Sequence, residues 1–140
     1  MKISSHGFAT EMPDDWEDRT MVTLVAPFAP NEFAANAVVT RHFVDATASI
    51  EDFAEEQTQM MQASLPGFQV LDRRRTDVNG VYALQQLHNF QTQTGVLQQA
   101  QTFVLGDKTI FVITCTAPAD NFERHVAAFR QIVENFVFSR

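Results

Sequence analysis

The sequence has a single cysteine, Cys115, only five glycines, and no apolar run long enough to cross a membrane. One cysteine cannot close an internal disulfide, so the secreted disulfide scaffolds are excluded. So few glycines leave no phosphate-cradling loop, and the GxSxG, CxxC, HExxH and HxxxH spacings are missing as well. Positive charge is scarce: 10 Lys and Arg stand against 17 Asp and Glu, for a net charge of −7. That field repels nucleic-acid phosphates and anionic headgroups, so neither a nucleic-acid partner nor direct membrane insertion is expected. The opening residues Met1 to Gly7 lack the apolar stretch of a secretory leader, and the chain reads as cytoplasmic.

What is present suits one globular domain over residues 1–140, with 45% hydrophobic residues and enough chain to bury a core without staples. Thr20 to Ala26 reads as a strand, Pro27 and Pro30 mark a loop, and Ala35 to Val44 reads as a second strand. Ile50, Phe53, Gln57, Met60 and Met61 recur at helical spacing, with Ser49 placed as the cap and Leu65-Pro66-Gly67 as the stop. Extended runs then alternate with turn signals: Phe68 to Val78, Val81 to Gln91, Val96 to Leu105 and Thr109 to Thr116. Asn79-Gly80 is the strongest hairpin signal, because a type I′ turn needs positive φ at both central residues. Ile110 to Ile113 is apolar on both faces and should form a central strand. Phe122, Val126, Phe129, Val133 and Phe136 give a second helix one apolar stripe. The expected fold is α+β: a sandwich of the α/β/α type, with a mainly antiparallel sheet of about six strands and two main helices.

Catalytic and metal chemistry finds little support. His6, His42, His88 and His125 are scattered, and Cys115 falls within the central strand, where a thiol behaves as a small hydrophobe. Asp14-Asp15 and Glu55-Glu56 read as solvated surface, and Arg74 points away from Arg73 and Arg75, so the arginine triplet forms no single patch. No nucleophile, base and orienting group can be assembled. The expectation is a non-enzymatic protein without cofactor or metal.

The anomaly lies in the sheet. Seven of the twelve glutamines fall between Gln85 and Gln101. In the strand Val96 to Leu105, Leu97, Gln99, Gln101 and Phe103 alternate onto one face. Uncharged amides among apolar groups suit a binding surface, since Gln donates and accepts without the desolvation cost of a charge. A sheet face covered by the protein's own helix or a symmetry mate is the competing explanation.

Several motifs coincide in order: Met12-Pro13-Asp14-Asp15-Trp16-Glu17-Asp18, Thr40-Arg41, Leu65-Pro66-Gly67-Phe68, Asn79-Gly80 and Thr114-Cys115-Thr116-Ala117-Pro118-Ala119-Asp120. Together they resemble the DcrB-related family, and within it the Eag-type chaperones of bacterial type VI secretion effectors. The resemblance implies a PsbP/Mog-like sandwich and a homodimeric cytoplasmic chaperone that shields the N-terminal transmembrane helices of PAAR-containing effectors before loading. It also implies a client surface of Met21, Thr23, Val38, Gln57, Leu65, Leu97, Gln99 and Gln101. Thr23 departs from the larger aliphatic residue expected there. A soluble protein-binding adaptor and an apolar small-molecule carrier are the alternatives.

Overall fold

The computed structural model describes residues 2–5 and 7–138. Strands β1 (Lys2–Ser5) and β2 (Phe8–Glu11) form a small antiparallel hairpin of their own. It was not anticipated: its strands are four residues long and carry no alternating apolar pattern. The main sheet contains β3 (Val22–Val25), β4 (Asn36–Phe43), β5 (Gln69–Val78), β6 (Val81–Thr92), β7 (Gly95–Leu105) and β8 (Thr109–Pro118). Their order is β3-β4-β8-β7-β6-β5, with every pair antiparallel. The meander from β5 to β8 is as expected, and β8 is central with both faces buried along most of its length. The first strand of the main sheet is shorter than the sequence suggests, starting at Val22 rather than Thr20.

Turn chemistry sets the meander. Asn79 at φ 50° and Gly80 at φ 81° make the left-handed pair that a two-residue hairpin between β5 and β6 requires. Asn79 Nδ2 also donates to the carbonyls of Glu134 and Phe136, 2.9 and 2.6 Å away, and so ties this turn to the end of the last helix.

Helix α1 (Ile50–Ser64) starts where Ser49 accepts a hydrogen bond from the Asp52 backbone N–H at 3.0 Å, with Glu51 and Asp52 in the first turn. It stops because Leu65, which precedes Pro66, is driven to an extended φ of −107° and ψ of 123°. The face it buries is rotated from the expected one. Ile50, Ala54 and Thr58 are buried, whereas Met60 is 60% exposed. Small residues lie nearest the sheet because a helix can approach closely only over them. The second expected helix opens as a 3₁₀ segment, Ala119–His125, and becomes helix α2 (Val126–Glu134), so Phe136 lies beyond the helix end.

The sheet is the middle layer of an α/β/α sandwich. On one face Ala37, Ala83, Val104, Ile113, Cys115 and Ala117 meet Phe122 and Phe129. On the other, Ile50 and Ala54 of α1 meet Leu84, Phe103, Ile110 and Val112. By the usual area bookkeeping, each large side chain in these clusters contributes roughly 1.5–3 kcal/mol over leaving it exposed.

Candidate functional site

The register of the sheet aligns the residues singled out in the sequence. Thr23 pairs with Val38, Val38 with Thr114, Thr114 with Gln101, and Gln101 with Gln86, forming one row across the α1 face. The neighbouring row on that face runs Asn36, Thr116, Gln99, His88. Leu97 stands opposite Phe90 and Pro118 at the far end. Helix α1 packs over Leu84, Phe103, Ile110 and Val112 and reaches Gln86 through Thr58, so Val38, Gln99, Gln101 and Thr114 are the half-exposed part of this face.

The orientation of α1 follows from its contacts. Its Glu51 and Glu55 line turns toward β5, where Glu55 meets Arg73 at 2.9 Å and Glu51 meets Arg75 at 3.7 Å. Tyr82 also donates to Glu51, and this bond holds the Glu51 carboxyl below its ordinary pKa. Glu55 is thus paired, not simply solvated as the sequence suggested. On the opposite line, Phe53 meets the ring of His42 of β4 at a tilt and the ring of Phe103 of β7 edge-on. Gln57 and Met61 continue that line at four-residue intervals, so Gln57 lies on the flank of α1 that faces the uncovered floor.

Six of the eight expected client residues are half-buried or exposed on this side of the molecule: Thr23, Val38, Leu97, Gln99 and Gln101 on the floor, and Gln57 on the helix. Met21 lies one residue before β3 and is 58% exposed. Leu65 is the half-buried C-cap of α1, with its N–H donating to the Met61 carbonyl at 2.8 Å.

The floor is polar yet uncharged. Gln101 Nε2 donates to Thr114 Oγ1 at 3.2 Å, while Gln101 Oε1 is buried without a hydrogen-bond donor. A buried acceptor left in this state costs about 1–3 kcal/mol. Gln99 donates to Thr116 Oγ1 at 3.1 Å and bonds His88 Nε2 at 2.7 Å. His88 itself is fully buried, and that burial lowers its pKa. In the sequence this residue is one of four scattered histidines. Only its alternation with Gln86 on β6 could have signalled it.

The α2 face is different in kind. Cys115 is fully buried there, and burial pushes its thiol up to about 12, so it is inert as a nucleophile. A groove of about 570 Å³ opens between α2 and β5, with Leu87, Phe122 and Phe129 in its walls and Arg74, Asp77 and Glu134 among its lining residues. Among the described residues, no group of three His, Cys, Asp or Glu side chains could hold a metal ion. Nor, among the described residues, is any helix long and apolar enough to cross a membrane.

The DcrB family model matches residues 9–135, nearly end to end. The chain belongs to the DcrB family. One relative of this DcrB-family chain is a Pseudomonas aeruginosa protein named Effector EagT6, 23% identical over 132 residues that span 94% of this chain and 92% of that one. Among solved structures, a Pseudomonas aeruginosa protein of unknown function, PA94, superposes with a TM-score of 0.84 at 21% identity, covering 100% of this chain and 97% of that one. Cyanobacterial PsbP from Synechocystis gives 0.61 at 9% identity, over 99% and 92% of the two chains. LpqN of Mycobacterium tuberculosis, described as involved in cell envelope biogenesis, gives 0.59 at 16% identity, over 90% and 79%. At these identities the structural likenesses carry the fold, and the DcrB fold is thereby PsbP-like, as the resemblance implied.

Proposed function

We propose that this DcrB-family protein is a non-enzymatic cytoplasmic chaperone of type VI secretion effectors. Working as a homodimer, it shields their N-terminal transmembrane helices, next to the PAAR region, until loading. Similarity to Effector EagT6 supports an effector as the partner in general. The single observation that carries the finer reading is the half-open α1 face, with Leu97 and Val38 beside amides and with the Gln101 Oε1 acceptor buried and unpartnered. A transmembrane helix held in water needs apolar area to cover it. Its interior hydroxyl or amide groups need uncharged partners, because a charge would have to be desolvated to meet them.

Co-expression with N-terminal segments of PAAR-containing effectors tests the reading. One apolar segment should become soluble and co-purify with the protein, and Gln101→Ala should lower its recovery while the fold stays intact. Unchanged recovery with that variant would remove Gln101 from the client surface. Failure of every segment, with the protein folded and dimeric, would favour the soluble-partner adaptor. The groove under α2 gives the small-molecule carrier a place in the molecule, but one on the opposite face from all the amides of the floor.

A further inference from the structure

A chain of hydrogen bonds runs beneath the open floor, and its direction is fixed at one end. Arg73 can only donate. Its Nε lies 2.8 Å from Gln86 Oε1, and its Nη2 lies 3.0 Å from Thr58 Oγ1 of α1. Gln86 Oε1 is therefore the acceptor, which turns Gln86 Nε2 toward His88 Nδ1 at 3.2 Å. That nitrogen must be bare to accept, so the proton of the neutral ring sits on Nε2. Nε2–H then donates to Gln99 Oε1 at 2.7 Å, and Gln99 Nε2 donates to Thr116 Oγ1 at 3.1 Å. Each nitrogen of the row thus donates to an acceptor on the next residue, from β5 through β6 and β7 to β8. Thr58 also donates to the Ala54 carbonyl at 2.8 Å and lies 3.2 Å from Gln86 Oε1, so the same row grips α1.

We propose that His88 is the positioning residue of this groove: as the neutral Nε2–H tautomer it joins Gln99 on the floor to the Gln86–Thr58 seat of α1. It touches no client itself. One ring holds the helix wall, which carries Gln57, in register with the floor, which carries Gln99 and Gln101. This inference rests on the client-groove reading only for its consequence in binding.

A second proton on His88 would place Nδ1–H against the Gln86 amide N–H. Gln86 would have to turn over, presenting N–H groups to Arg73 and releasing the seat of α1. The charged groups facing this row are Arg73 from β5 and its partner Glu55 from α1, while β6, β7 and β8 present Gln86, Gln99 and Thr116. Phe68 lies against the ring with centroids 4.9 Å apart. Burial lowers the His88 pKa below its ordinary value of 6.5. The unfolded chain therefore binds the proton first, and the contribution of the neutral ring is lost as pH falls from about 6.5 down through the folded-state value.

Three measurements test the assignment. In the wild-type protein, imidazole ¹⁵N shifts at about pH 7.5 should report His88 as neutral with hydrogen on Nε2; an Nδ1–H tautomer or an imidazolium would overturn it. Hydrogen exchange at the amides of α1, corrected for intrinsic rates, should quicken by up to about tenfold between about pH 7.5 and 5.5 in wild type. His88→Gln retains a terminal N–H for Gln99 and removes this titration, leaving only the share of His42, whose ring lies against Phe53 of α1 in both proteins, so its corrected rates should quicken clearly less; equal pH profiles in the two proteins would sink the proposal. Capture of an apolar effector segment should follow the same split, falling more in wild type than in the variant. If neither protein captures a segment at any pH, the chaperone reading fails, while the tautomer and the exchange profiles still decide the role of His88.

Discussion

The two faces of one sheet have opposite economies. Toward α2 the strands present Ala37, Ala83, Val104, Ile113, Cys115 and Ala117, all at most 1% exposed, beneath Phe122 and Phe129. Toward α1 the same strands present a dry half, Leu84, Phe103, Ile110 and Val112, and a polar half, Gln86, His88, Gln99, Gln101, Thr114 and Thr116. Because successive side chains alternate, Gln99 and Gln101 on the α1 face flank Ala100 on the α2 face, and Gln86 precedes Leu87 there. A sheet can thus be finished as an ordinary core on one side while keeping hydrogen-bonding capacity on the other. The polar half is mostly satisfied internally, and what remains unsatisfied is the Gln101 acceptor.

Substitutions that respect or violate this division separate the two faces. The largest effect is expected from Phe103→Ala, which empties the fully buried centre of the dry half beneath α1 and loses the edge contact with Phe53. Urea denaturation should show a loss of about 3–5 kcal/mol, and a loss below 1 kcal/mol would mean that α1 collapses readily onto the sheet. Cys115→Ser places a hydroxyl in the α2 face among apolar neighbours, and the same assay should record a loss of about 1–3 kcal/mol. Gln101→Leu is the converse, removing an unpaired acceptor from the polar half, and stability should stay within about 0.5 kcal/mol of wild type or rise. If Gln101→Leu cost as much as Cys115→Ser, the two halves would not differ in the way described.

Local chemistry made much of the fold legible. Ser49, the Leu65-Pro66-Gly67 stop and Asn79-Gly80 each act within a few residues, so the bounds of α1 and the β5–β6 hairpin could be read directly. Alternation also put Leu97, Gln99 and Gln101 on one face before any partner strand was known. Other features depend on distant chain. The rotation of α1, which buries Ala54 and Thr58 and leaves Met60 exposed, is set by Leu84, Phe103 and Gln86 on strands that follow it. The 3₁₀ opening of α2 shares the apolar spacing of a regular helix and is hidden for that reason. Nor could Arg73 and His88 be linked in sequence, since their connection passes through Gln86 and depends on the pairing of β5 with β6.

The strand order also has a kinetic consequence. β5 to β8 can zip as successive hairpins, each closed by a short turn. Pairing β4 with β8 instead brings Asn36 beside Thr116, a closure whose entropy cost no hairpin of the meander bears. Thr23 and Val38 join the floor through that closure, so the β3–β4 side of the groove hangs on the longest-range pairing in the sheet, and the groove is whole only when the two ends of the chain have met.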